Sequence, residues 1–289
     1  IKEVYSMLCW MNGEFVKAKD LRISPFDHGF LYGVGFFETF RTYDEHLFLF
    51  QAHMDRLKTA LSEYRIAMPY ENEDIIDAVR KLNDSAGTDG YFRLNVSAGV
   101  HDIGLAPSSY ETPTVILFRK ELPVTNAGAE KEGIWLDTTR NDPESALRHK
   151  SHNFLNNVRG RLELPSLKEH EGLFLNKEGF VAEGVTSNVF WIKDGELFTP
   201  AIETGILPGT TRAIVMEIAE MDGMTVNEGF YTQKVVEAAD ELFVTNAIQE
   251  IVPIGSIGEI SLPGATGVYY QKLHNFYRKA IEVMKEGTN

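Results

Sequence analysis

Leu147-Arg148-His149-Lys150-Ser151-His152-Asn153-Phe154-Leu155-Asn156-Asn157 is the stretch on which the chain turns. Lys150 stands among three basic groups, Arg148, His149 and His152. A lysine pressed by other cations, or withdrawn from water, loses proton affinity and becomes an amine nucleophile able to hold an aldehyde cofactor. The plain alternative is a solvated basic patch between two elements, the usual fate of a charge run. The rest of the chain decides between them.

Upstream, residues 123–133 carry Pro, Asn and Gly with little apolar content and read as a linker. A strand is expected over 134–139. Downstream, Leu173 to Glu183 and Val189 to Phe198 read as two hairpins, the second turning at Asp194-Gly195. Between them Glu183-Gly184-Val185-Thr186-Ser187-Asn188 puts a carboxylate at a strand end, either to cap that strand or to hold a protonated ring nitrogen. Leu207-Pro208-Gly209-Thr210-Thr211-Arg212 leads into a helix over 213–219. Free N–H groups, hydroxyls and the positive end of a helix dipole suit a phosphate, although many helices begin this way without a ligand. Residues 239–253 read as strand, polar break, strand. A long helix is expected from about Gly267, with Val268, Leu273, Phe276, Tyr277, Ile281 and Met284 packed inward.

In the first half, Asn12-Gly13 between apolar flanks signals a hairpin, because both residues tolerate positive φ. A second hairpin over 36–50 turns near Asp44-Glu45. The glycine-rich segment 24–35 between them lacks the Lys-Ser/Thr ending of a phosphate loop. Met54, Leu57, Leu61 and Tyr64 then recur at helical spacing, and Ile75, Ile76, Val79 and Leu82 mark a second helix. Arg56 lies off the first stripe, where a surface role is the ordinary one. In Tyr91-Phe92-Arg93-Leu94-Asn95-Val96-Ser97 the apolar residues take one face, and Tyr91 and Arg93 project together from the other. That pair suits either a solvated surface or a carboxylate. Another strand is expected over 114–119.

With 289 residues and 43% hydrophobic content, the chain has room for two domains and a real core. A net charge of −14 argues against nucleic acid or an anionic membrane as partner. The one cysteine, Cys9, excludes an intrachain disulfide and a thiolate cluster and fits a reducing, cytoplasmic setting. No metal-ligand spacing, spanning apolar run or signal-peptide pattern occurs. The chain starts at Ile1, and Met7 is a candidate native start.

Taken in order, these segments resemble the fold-type IV pyridoxal-phosphate enzymes, or class IV aminotransferases, over nearly the whole chain. The resemblance implies an α/β fold of α+β type in two domains. A smaller N-terminal α/β domain would cover residues 1–122. After the linker at 123–133, a larger, strand-rich, pyridoxal-phosphate-binding domain would cover 134–289. It implies that Lys150 is the Schiff-base lysine, that Glu183 binds the pyridine nitrogen and that Arg56 binds the phosphate. Leu207, Gly209, Thr210 and Thr211 would form the phosphate cradle, with Asn246-Ala247 as a second phosphate-side turn. Within the family, Ser24 to Gly33, Phe37-Glu38-Thr39-Phe40-Arg41 and Thr245 to Pro253 look most like aminodeoxychorismate lyases. Three departures separate the chain from the aminotransferases. Ala98 stands where the D-amino acid enzymes have a carboxylate-binding arginine. Phe154 replaces the branched-chain enzymes' tyrosine, one residue nearer the lysine, and Ala247 replaces a threonine. The lyase resemblance implies a small substrate with two carboxylates. Arg93 is its main candidate clamp, Tyr91, Tyr32 and Thr39 line the pocket, and Arg41 is a further contact. It also implies a homodimer. An aminotransferase acting on branched-chain or D-amino acids is the alternative.

Overall fold

The computed structural model describes residues 7–105, 108–122 and 129–287. The chain divides into two compact units. One holds the described residues up to Leu122 together with 149–153; the other holds 129–148 and those from Phe154 onward. Six residues of the expected linker, 123–128, lie outside the described residues, as do residues 1–6.

The first unit is an antiparallel sheet with two helices on one face. Its elements are β1 (Leu8–Met11), β2 (Glu14–Lys17), α1 (His28–Tyr32), β3 (Gly35–Tyr43) and β4 (His46–Leu47), then α2 (Phe50–Glu63), α3 (Asn72–Asp84), β5 (Gly90–Ser97) and β6 (Thr114–Glu121). The strand order is β2-β1-β6-β5-β3-β4. The expected turns form as their residues dictate, with Asn12 at φ 47° and Gly13 at 91°, and Asp44 and Glu45 at 47° and 71°. Met54, Leu57 and Leu61 of α2 and Ile75, Val79 and Leu82 of α3 pack on Phe36, Phe40, Phe92, Leu94 and Val96. Each such side chain, fully buried, contributes about 1.5–3 kcal/mol. Segment 24–35 is not all loop. Asp27 accepts the Gly29 N–H at 2.7 Å and caps a short helix that Gly33 ends in the left-handed region.

The second unit is built on a nine-stranded mixed sheet. In chain order its elements are β7 (Lys131–Trp135), α4 (Leu155–Leu162), β8 (His170–Leu175), β9 (Val181–Gly184), β10 (Asn188–Lys193) and β11 (Glu196–Pro200). There follow α5 (Thr210–Met221), β12 (Val226–Gly229), α6 (Gln233–Glu237), β13 (Glu241–Asn246), β14 (Glu250–Ile257), β15 (Ile260–Ser261) and α7 (Val268–Gly287). The order is β12-β11-β10-β13-β14-β7-β8-β9, with β15 beside β14. The β11·β12, β14·β7 and β7·β8 pairs are parallel. Strand β7 begins three residues before the expected 134, inside the expected linker. Its buried Lys131 is neutralised by Glu171 of β8 at 2.7 Å, so a charge sits within the strand. Leu273, Tyr277 and Ile281 of α7 are buried as expected, but Val268 and Met284 at its two ends are exposed. Among the described residues, no helix is long and apolar enough to cross a membrane, and no group of three His, Cys, Asp or Glu side chains is placed to hold a metal.

Candidate active site

Lys150 does not belong with the second unit, where its place in the chain put it. Residues 149–153 fold onto the first, because β3 offers an open edge at its start. Phe37 N–H donates to Lys150 O at 2.8 Å, His152 N–H donates to Gly35 O at 2.9 Å, and Phe36 faces Ser151. Side chains alternate along paired strands. Ser151 and His149 therefore share the helix-packed face with Phe36, and His149 Nε2 meets Glu63 Oε2 there at 2.7 Å. Lys150 and His152 take the opposite face, with Gly35, Phe37 and Thr39. Register carries the same face across to β5, where Phe37 lies opposite Asn95, Thr39 opposite Arg93 and Arg41 opposite Tyr91.

Phe37 is the centre of that face. The Lys150 Nζ lies 4.8 Å from its ring centroid and the Arg93 guanidinium carbon 3.6 Å. The His152 ring stacks at 6.3 Å. So the structure brings Lys150, Arg93, Tyr91 and Thr39 onto one surface. Tyr32 is not on it: it sits on α1, and its hydroxyl accepts the Gly104 N–H at 2.8 Å. Arg41 lies over the Tyr43 ring at 4.3 Å. Arg56 projects from α2 on the helix side, where Glu38 accepts from its Nε and its Nη2, each at 2.7 Å. Glu38 also meets His53 Nδ1 at 2.7 Å. Burial would raise the Glu38 carboxyl, but the Arg56 guanidinium and His53 outweigh it and hold it at about 2.

In the second unit, the expected cofactor residues gather at one end of the sheet. Glu183, at the end of β9, is buried. Its Oε1 takes Arg140 Nε and Nη2, each at 2.8 Å, with Arg148 Nε at 3.8 Å. Its Oε2 accepts the Leu207 N–H at 2.9 Å. Asn156 and Asn157 in turn hold the Arg140 guanidinium through their side-chain oxygens, at 2.6 and 3.3 Å. Arg148 donates to Gly205 O and to the Asn141 carbonyl. It is therefore engaged with Glu183 and backbone oxygens. Burial, and then Arg140, push Arg148 down to about 10, so it stays charged at neutral pH. Within the first unit, His149 turns to the helix side and His152 shares the Lys150 face.

Helix α5 opens at Thr210 and Thr211, both buried, with Gly209 as its N-cap residue and no side-chain cap. A Cβ on Gly209 would lie 2.0 Å from Asn188 Oδ1. Asn188 Nδ2 also donates to Leu207 O at 2.9 Å, which ties the cradle to β10. Asn188 pairs with Thr245, and Asn246 follows at the β13–β14 turn. There the Asn246 side chain accepts from Ile248 N–H and Gln249 N–H at 3.0 and 2.8 Å, so its oxygen closes the turn. This leaves backbone at Ala247 as what that turn can offer a ligand. Arg140, Asn188 and Glu38 escaped the sequence reading, because partners distant in sequence leave no spacing signal.

Two imidazoles of the first unit have their proton affinity lowered. Burial, and then Arg93, push His152 down to about 4, with Asp27 opposing. Burial is also the first cause at His53, opposed by Glu38 and reinforced by Arg56 and Lys150. A histidine whose folded value lies below its unfolded 6.5 contributes stability that is lost as pH falls through that window. We therefore expect the melting temperature to drop between pH 7 and pH 4, with His152 carrying roughly 3 kcal/mol of the change. Thermal scans across that range should show a flatter profile for His152→Leu. An unchanged profile would contradict this assignment.

A sequence model of the family described as amino-transferase class IV matches residues 35–257. The chain is 39% identical over 280 residues to the aminodeoxychorismate lyase of Bacillus subtilis (strain 168), covering 96% of each chain. It is 37% identical over 256 residues to a putative branched-chain-amino-acid aminotransferase of Methanocaldococcus jannaschii, covering 87% of this chain and 88% of that one. A solved branched-chain amino acid aminotransferase from T.th., in complex with N-(5'-phosphopyridoxyl)-L-glutamate, superposes with a TM-score of 0.86 at 25% identity, covering 96% of this chain and 95% of that one.

Proposed function

We propose, on the premise that the chain belongs to the class IV aminotransferase family, that it is a lyase splitting 4-amino-4-deoxychorismate into 4-aminobenzoate and pyruvate. The observation that carries this reading is the end-to-end likeness to a lyase at 39% identity. It agrees with an arginine, Arg93, that has no carboxylate partner among the described residues and shares a sheet face with Lys150. The family's cofactor is pyridoxal phosphate.

The residues present suit that group. Lys150 offers an amine. Glu183 offers a buried carboxylate whose Oε2 keeps a lone pair beyond the Leu207 bond. The start of α5 offers backbone N–H groups at the positive end of a helix dipole, at a glycine with no room for a side chain. In this reading Lys150 and Glu183 hold the two ends of the ring. Leu207, Gly209, Thr210, Thr211, the Asn246-Ala247 turn and Arg56 serve the phosphate, with Glu38 fixing the direction of the Arg56 fork. When bound, the cofactor supplies an electron sink for the charge left at the amine-bearing carbon. Lys150, its amine released by the substrate amine, takes the proton from that carbon. The electron pair left behind completes the aromatic ring as the bond to the enolpyruvyl oxygen breaks, and pyruvate leaves after protonation. Arg93, with Tyr91 and Thr39, orients the carboxylates.

The test is pyruvate release from aminodeoxychorismate by the holoenzyme without any amino acceptor. Pyruvate equal to 4-aminobenzoate is expected. No release, together with turnover of branched-chain or D-amino acids onto a keto acid, would establish the aminotransferase alternative, which the likeness to the archaeal protein favours. The same reading makes the protein a homodimer. Phe30 and Leu105 in the first unit are 73% and 80% exposed, and Leu155 and Leu162 of α4 in the second are 80% and 77% exposed. A solution mass near twice 32.5 kDa is expected by light scattering, and a monomer would refute it.

A further inference from the structure

The Lys150 face carries a second polar arm that the reaction as described leaves unused. His152 lies across Gly35 so closely that a Cβ there would sit 2.5 Å from its Cε1 and Nδ1. The ring is fixed by that contact, by the backbone bond to Gly35 O and by stacking on Phe37. Its Nε2 is buried and has no hydrogen-bond partner among the described residues. Buried polar atoms are nearly always partnered, so one that is not calls for an explanation. The neighbouring charges do not supply it. Asp27 already accepts from Gly29 N–H, Ser97 Oγ and Thr114 Oγ1. Arg93 donates its Nε to Asn95 Oδ1 at 3.1 Å and lies flat on Phe37.

We propose that His152 and Arg93 together cradle one carboxylate of the substrate, the imidazole donating from Nε2 and the guanidinium donating beside it. The proposal rests on the reading of a carboxylate-bearing amine as substrate and adds the residue that chooses its orientation. Two donors reaching over β3 from the segments on either side of it fix the plane of a carboxylate where a single guanidinium would let it pivot. Both arms and the Lys150 amine gather round the Phe37 ring, so a flat ring bearing the carboxylate can rest near it while its amine reaches the lysine. Burial, and then Arg93, keep the imidazole neutral, which leaves one ring nitrogen a donor across the physiological range.

The test uses the holoenzyme and benzoate, a flat carboxylate that needs no turnover, with benzamide as the uncharged control. Calorimetry should show benzoate binding and benzamide failing to bind. His152→Leu should weaken benzoate about tenfold, the loss of one charge-assisted hydrogen bond. His152→Gln, which keeps a donor, should stay within about threefold by the same scale. Arg93→Gln should lose binding with His152 intact. In steady state His152→Leu should raise KM more than it lowers kcat, with the cofactor absorbance unchanged. Equal benzoate binding by wild type and His152→Leu overturns the proposal, and so does no binding by wild type. A failed pyruvate assay with these titrations intact would instead remove the lyase reading and leave the carboxylate cradle standing.

Discussion

Lys150→Ala is expected to cut pyruvate release by about 10,000-fold, the upper end of what a positioned general base contributes. It should also erase the mass increment that borohydride reduction leaves on the wild-type chain. The substitution is well suited to separating chemistry from folding. What holds residues 150–152 to β3 is backbone, from Phe37 N–H to Lys150 O and from His152 N–H to Gly35 O, and alanine keeps both bonds. The melting temperature should therefore stay within a few degrees of wild type while activity disappears. A reduced adduct that persists in Lys150→Ala, or turnover within tenfold of wild type, would sink the assignment of the lysine.

Glu183→Gln is expected to cost about 3 kcal/mol of stability, the lower end for breaking a buried ion pair, and to weaken cofactor retention as well. The amide keeps the shape of the side chain. It removes the buried negative charge that Arg140 and Arg148 share and turns an acceptor at Leu207 N–H into a contest between oxygen and NH2. Urea unfolding gives the stability change directly. Combining Glu183→Gln with Arg140→Gln should restore part of the loss, since the second change removes the stranded cation. Wild-type stability in Glu183→Gln would mean that the arginines, not the carboxylate, organise this corner of the sheet.

Much of the fold was legible because it rests on local rules. Asn12-Gly13, Asp44-Glu45 and Asp194-Gly195 turn where their φ values demand, and the stripes of α2 and α3 fall on the core. Helix α4 passed unread although Leu155, Val158 and Leu162 have helical spacing, and its apolar side turns outward. The site divides the same way. Alternation placed Tyr91 and Arg93 together, and Gly-Thr-Thr marked a helix start. What sequence could not give was pairing between distant segments: Arg140 with Glu183, Glu38 with Arg56, and 150–152 with the edge of β3. That last pairing reverses the opening picture of a lysine crowded by three cations. Arg148 binds Glu183 and backbone oxygens, His149 binds Glu63, and His152 is kept neutral by burial and Arg93.

The borrowed edge strand gives the odd and even positions of its five residues separate work. Odd positions moor the strip: His149 to Glu63, and Ser151 opposite Phe36. Even positions, Lys150 and His152, present nitrogen to the other side. Parity thus decides what the strip presents, since moving it by one residue would turn the moorings to the other face and bury the amine against helices. The loops on either side can tolerate drift in length only so far as they return the chain to β3 on the same beat.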